Sequence, residues 1–192
     1  MKTRLFRILV LCCISTFLLL GGCNKFKVSK ETKAPTVNES LQDLGNDRLQ
    51  LTVPSSYEAI RTPEQCEEVV KSRGYESGSY DAEKHTVTYV MTKDQFHKLT
   101  FELYSYIAYN TKMLNKSDSY ANVRDVKYNE DYTDVTIYTK SQRIGTIERH
   151  LFQYFFDYGK MYNTYWGKPD TRIHVRFVNS ESGEVLEEEY SH

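Results

Sequence analysis

Apolar residues recur along this chain with two periods, and the places where the period changes mark out its elements. Leu49, Leu51 and Val53 alternate with polar neighbours and stop at Pro54, which predicts a short strand or extended arm. Thr62-Pro63-Glu64-Gln65 predicts a helix start, with Thr as N-cap, Pro in the first turn and Gln placed to close a capping box. Cys66, Val69 and Val70 form the apolar stripe of this short helix, and Gly74 ends it. Val87, Tyr89 and Met91 alternate with threonines, a strand with one buried face. Thr92-Lys93-Asp94-Gln95 repeats the capping pattern and launches a long helix to about Asn115, its stripe made by Phe96, Leu99, Leu103, Tyr106, Ile107 and Leu114. Val126 and Tyr128, a turn at Asn129-Glu130-Asp131, and Val135 and Ile137 predict a hairpin. A second long helix follows from about Ile144 to Tyr165, with Ile147, Leu151, Tyr154, Phe155, Tyr158 and Tyr162 on one face. Ile173, Val175 and Phe177 make a further strand, which turns at Asn179 to Gly183 into a short last strand, Val185 to Tyr190.

Counted from Thr86, the order is β-α-β-β-α-β with one strand added. It predicts an α+β fold: a ferredoxin-like split β-α-β two-layer sandwich with an added C-terminal strand and a short N-terminal helix. Thr86, Thr88, Lys127, Thr136, Arg172, His174 and Arg176 would line its open, solvated face. With a four-residue loop at Gly183, Arg176 would face Glu187 and His174 would face Glu189. Two residues fit this scheme poorly. With Ile147 at zero and about 100° per residue, the stripe of the second long helix spans about 320° through 100°, while Phe152 and Phe156 land near 140° and 180°. Two phenylalanines are too much apolar area to leave in water without cause. Either the helix starting at Pro63 or the Leu49–Val53 arm folds over them, or they form a partner patch.

The first 22 residues have a different character. Lys2, Arg4 and Arg7 precede a mostly apolar run from Ile8 to Leu20, the layout of a signal peptide and short of the roughly 20 residues that span a bilayer. The run ends Leu20-Gly21-Gly22-Cys23, which resembles the lipobox of bacterial lipoproteins. The resemblance implies that Cys23 is alkylated with diacylglycerol, becomes the new N-terminus, and holds the protein on the extracytoplasmic face of the cell membrane. Residues 23–48, polar and without period from Asn24 to about Asp47, then form the lipidated cysteine and a flexible tether. Residues 49–192 would be one globular domain.

Composition narrows the classes. The 192 residues carry 25 Lys+Arg and 26 Asp+Glu, so the basic footprint of a nucleic-acid binder is missing. Loss of Lys2, Arg4 and Arg7 with the leader takes the net charge from −1 to −4, which argues against a polybasic grip on headgroups. Attachment would rest on the lipid chains at Cys23. Of the four cysteines, Cys12 and Cys13 leave with the leader and Cys23 becomes a thioether. Cys66 remains alone, and neither a disulfide nor a thiolate metal site can be built.

Catalytic readings are few. Cys66 as a nucleophile is set against its place on an apolar stripe among Glu64, Glu67 and Glu68, which would raise a thiolate's pKa. The five histidines, His85, His97, His150, His174 and His192, have no metal-ligand spacing, and the carboxylates of Glu187-Glu188-Glu189 alternate between strand faces and cannot converge. Tyr162, Tyr165 and Trp166 cluster at a helix end, where stacking on a ligand competes with packing in the core. Leu51-Thr52-Val53-Pro54, Val87 to Thr92, Tyr128-Asn129-Glu130-Asp131-Tyr132-Thr133 and Ser182-Gly183-Glu184-Val185 resemble a family of small uncharacterised bacterial lipoproteins. That resemblance implies architecture and location and transfers no catalytic residue. The sequence therefore reads as a non-catalytic, lipid-anchored binding module for an unknown protein or small ligand, without cofactor or metal; the alternative is an envelope hydrolase.

Overall fold

Two strands with matching alternation make the centre of the first sheet. β2 (Arg48–Pro54) points Leu49, Leu51 and Val53 inward, and β4 (Thr86–Thr92) does the same with Val87, Tyr89 and Met91. They pair antiparallel with Leu49 opposite Met91, Leu51 opposite Tyr89 and Val53 opposite Val87, so like faces meet rung by rung. β1 (Leu41–Gly45) flanks β2, and β3 (Ser77–Asp81) flanks β4, giving the order β1-β2-β4-β3. The computed structural model describes residues 40–192, which belong to one compact unit. The leader, Cys23 and the first part of the tether lie outside the described residues.

Three helices complete the fold. α1 (Pro63–Arg73) starts on Thr62, whose hydroxyl accepts from the Gln65 backbone N–H, and lays Cys66 into the first core with Val69 and Val70 beside it. α2 (Lys93–Leu114) follows β4 without a gap through a complete Thr92–Gln95 capping box. α3 (Thr146–Tyr165) connects the inner strands of the second sheet, β6 (Asp134–Thr139) and β7 (His174–Asn179), which are parallel. β5 (Val123–Tyr128) and β8 (Val185–Tyr190) pair antiparallel outside them, in the order β5-β6-β7-β8.

The class is α+β, as expected, but the strands divide between two sheets where the split β-α-β sandwich needs one. The physical reason lies on both sides of β4. Leu49–Val53 matches its apolar face residue for residue and takes the neighbouring place. The 22 residues of α2, about 33 Å of helix, then carry the chain over to the second sheet. Leu41–Gly45, read as tether, is the edge strand beside β2.

The helices bridge the two cores. Phe96 and Leu99 of α2 and Tyr165 of α3 pack in the first core; Leu114 of α2 and Leu151, Phe152, Phe155 and Phe156 of α3 pack in the second. A third cluster of Ile107, Tyr132 and Tyr158 joins the helices to the β5–β6 loop, with Tyr104, Tyr106, Tyr128, Tyr154 and Tyr162 packed round it. Much of the tyrosine content is spent on this seam.

Phe152 and Phe156 are 3% and 9% exposed, so no partner patch stands at these positions. Neither of the segments expected to cover them belongs to their cluster: Phe152 meets Phe177 of β7 edge-on at 5.1 Å between ring centroids, and both rings sit among residues of the second sheet. The helix is rotated relative to the periodicity reading. Ile147 is 55% exposed, and the buried side runs through Leu151, Phe152, Phe155 and Gly159. Gly159 is where α3 comes closest to its neighbours: a Cβ there would lie 2.8 Å from the Tyr132 carbonyl oxygen and 2.9 Å from Ile173 Cδ1.

Candidate functional site

A concavity of about 550 Å³ opens where the end of β2, the end of α3 and the C-terminal residues meet. Pro54 ends β2 and leads into a 3-10 turn, Ser55–Tyr57, which places the half-buried Tyr57 on one wall. Burial pushes the Tyr57 hydroxyl's pKa up, partly offset by its bond with Thr164 of α3. The opposite wall is the loop after α3, in which Thr171 Oγ1 donates to the Lys168 carbonyl. That loop begins at Gly167, whose φ of 76° is the left-handed region; a Cβ on Gly167 would lie 3.1 Å from Leu41 Cβ. Ser191 closes the floor, accepting from the Ile173 backbone N–H and donating its own N–H to the Ile173 carbonyl.

Two cations stand in this cleft. Lys160 Nζ donates to the backbone oxygen of His192, and the Arg172 guanidinium lies 4.3 Å from the centre of the Tyr190 ring. The hydroxyls of Thr164, Thr171 and Ser191 are all engaged with backbone groups. The arrangement offers an apolar wall of Pro54, Tyr57 and Pro169 beside charged groups that include Asp170, a composition suited to holding a small amphiphilic ligand.

Beside the cleft, the second sheet carries a charged lattice. His174 Nδ1 lies 3.2 Å from Asp134 Oδ2, and its Nε2 lies 2.9 Å from Glu188 Oε2. Arg176 donates to Asp134 at 3.1 Å and to Thr136 Oγ1 at 2.9 Å. The register corrects the expected pairs: Arg176 opposes Glu188, His174 opposes and stacks on Tyr190 at 4.3 Å, and Glu187 reaches Arg149 on α3 at 2.8 Å. An irregularity at Phe177/Val178 shifts the ladder by one residue, which a four-residue loop without a bulge would not do. An Asp-His pair is a component of hydrolase triads, yet here the second ring nitrogen faces a carboxylate where a nucleophilic hydroxyl would stand. The two acids flank the ring on different nitrogens, and no group of three His, Cys, Asp or Glu that could hold a metal ion occurs among the described residues.

The first core contains a polar cluster with no sequence signal. Glu58 pairs with Arg73 at 3.3 Å and accepts a short hydrogen bond from the Tyr165 hydroxyl, and Arg73 also donates to the Tyr75 hydroxyl at 3.2 Å. Burial pushes the Tyr165 hydroxyl well above its ordinary pKa, and the Glu58 charge adds to this. Burial alone would lower the Arg73 pKa, but Glu58 and Tyr75 more than reverse it. Cys66, nearby, is buried, and its thiol is pushed up by burial first and Glu67 second, a protonated packing residue rather than a nucleophile.

The second concavity is a shallow, ring-lined groove of about 370 Å³ between α2 and α3, formed by His97, Phe101, Tyr104, Tyr162 and Trp166 with Thr100. The three residues expected at the end of α3 therefore separate: Tyr165 is buried, Tyr162 half-buried, and Trp166 37% exposed. The exposed Phe101 could have been suspected from its place off the stripe of α2. Comparison of the chain with protein-family models, with curated proteins and with solved structures finds no match.

Proposed function

We propose that this protein is a lipid-anchored extracytoplasmic lipoprotein that acts as a non-catalytic binding module at the cell envelope. The observation that carries the binding reading is the cleft between Tyr57 and Arg172. It has the size of a ligand site, an apolar wall and two cations, while the hydroxyls of Thr164, Thr171 and Ser191 are committed to the backbone and not to a base. Anchoring rests on the basic start, the apolar run and Leu20-Gly21-Gly22-Cys23. No helix among the described residues is long and apolar enough to cross a membrane.

The two halves are tested separately. Cys23→Ala should abolish incorporation of labelled fatty acid and release a leader-processed protein from the membrane; a variant retained on the membrane with its leader removed would overturn the anchor. A photo-crosslinking residue at Thr171 in intact cells should give a discrete adduct that the same residue at Glu181, in the turn at the opposite end of the β7–β8 hairpin, does not. Hydrolysis of an ester or peptide substrate that disappears with His174→Ala would favour the hydrolase alternative.

A further inference from the structure

The outer face of α2 has an unusual make-up. Of the eight large apolar side chains left exposed among the described residues, four are here: Phe101, Tyr109 and Met113 on α2 and Trp166, which shares the ring-lined groove with Phe101. Phe101 is 70% and Tyr109 63% exposed. At about 100° per residue, Phe101, Tyr109 and Met113 fall within an arc of about 120°, and Lys98 and Lys112 fall inside the same arc, as do Asp94 and Glu102 on either side of Lys98. Lys116 follows just past the helix end. Lys93 is paired with Asp43, whereas Lys98, Lys112 and Lys116 have no ion-pair partner among the described residues. Between residues 93 and 116 there are four lysines against Asp94 and Glu102, in a chain whose overall balance is acidic.

We infer that this face docks on an anionic lipid surface, with Phe101, Tyr109, Met113 and Trp166 entering the headgroup layer and Lys98, Lys112 and Lys116 meeting the lipid phosphates. The inference rests on the membrane-anchored reading and deepens it. Scattered apolar side chains are ordinary on a protein surface. Rings and lysines interleaved along one helix face are the pattern of an interfacial helix, in which lysine stems lie along the apolar surface and their ammonium groups reach the phosphates. Charge selects the occupant: the face is net positive, Lys98, Lys112 and Lys116 against Asp94 and Glu102, and its last part, from Tyr109 to Lys116, carries two lysines and no acid, which complements a negative bilayer surface. The weak local attraction suits a chain already confined to the membrane by its anchor, and it escapes any argument from net charge.

Trp166 is the only tryptophan, so the full chain carries its own reporter at this face. Full-length protein mixed with phosphatidylglycerol-containing vesicles should show a blue shift of Trp166 emission and quenching by lipids brominated on their acyl chains. Pure phosphatidylcholine vesicles should give little of either. The variants Lys98→Glu/Lys112→Glu and Phe101→Ser/Tyr109→Ser, all at exposed positions, should keep the fold by circular dichroism and lose most of the quenching. Unchanged, unquenched emission in protein that floats with the vesicles would overturn the docking face and leave the anchor intact. Loss of lipid labelling at Cys23 with quenching retained would separate the two in the other direction. Emission that shifts with protein concentration and not with vesicles would assign the face to a second copy of the chain and also overturn the proposal.

Discussion

Glu58 and Arg73 form an ion pair inside the first core. Both side chains are largely buried, and each is the other's counter-charge. Glu58→Gln would leave the guanidinium uncompensated in the first core and should cost about 3–5 kcal/mol in chemical denaturation. Replacing both by apolar residues of similar volume should cost much less, because the desolvation of two charges is then avoided. A small cost of Glu58→Gln, or single-variant costs that simply add in the double variant, would show that Tyr75 and Tyr165 hold Arg73 without Glu58. Nothing in the sequence announces this pair: the partners lie fifteen positions apart, one on a turn and one at a helix end. Cys66 was legible, because its place beside Val69 and Val70 is a local matter of helical spacing.

Elements were readable where their signals are local. Thr62 and Thr92 cap α1 and α2 as their neighbours predict, and the hairpin at Asn129 forms, with Asn129 Oδ1 accepting from the Asp134 backbone N–H. The phase of α3 was not readable. Ile147 stands in the first turn, beyond the end of the packed surface, so it made a poor origin for the stripe. Moreover α3 is covered on two sides, by the second sheet and by the tyrosine seam, and a helix with two buried sides has no single stripe to find. Two substitutions test the packing. Phe156→Ala should lower stability by about 3–5 kcal/mol by opening a cavity in the second core. Gly159→Ala should lower it by about 1–3 kcal/mol by pushing α3 off the Tyr132 carbonyl. A Phe156→Ala melting temperature equal to that of the parent would contradict the burial described for that ring.

At the scale of the whole molecule, alternation tells which face of a strand is buried and is silent on which strand lies beside it. That is why one sheet was expected and two formed. Ser77–Asp81 compounds this, since Ser-Gly-Ser-Tyr-Asp has no apolar alternation and becomes a strand only because β4 offers it an edge. The buried tyrosines of the seam and of the first core have a pH signature. Burial raises the pKa of Tyr89, Tyr132, Tyr154, Tyr158 and Tyr165 above the ordinary value of about 10. The folded state then holds these protons more tightly than the unfolded chain, so their contribution to stability is complete below about pH 10 and declines as pH rises beyond it. Denaturant midpoints should fall steeply above that pH, with tyrosinate absorbance appearing in two stages: exposed rings first, buried ones together with unfolding. A single smooth titration of all the tyrosines without unfolding would contradict this. Finally, Gly167 touches Leu41, so the described fold begins beside the cleft. Here Thr52 donates its N–H to the Ser40 carbonyl at 2.7 Å, and β2 runs only two residues further to Pro54 on the cleft wall. Under the proposed function, tension between the anchor and a partner held in the cleft would enter and leave at this one corner. It would open the β1–β2 ladder rung by rung from Leu41.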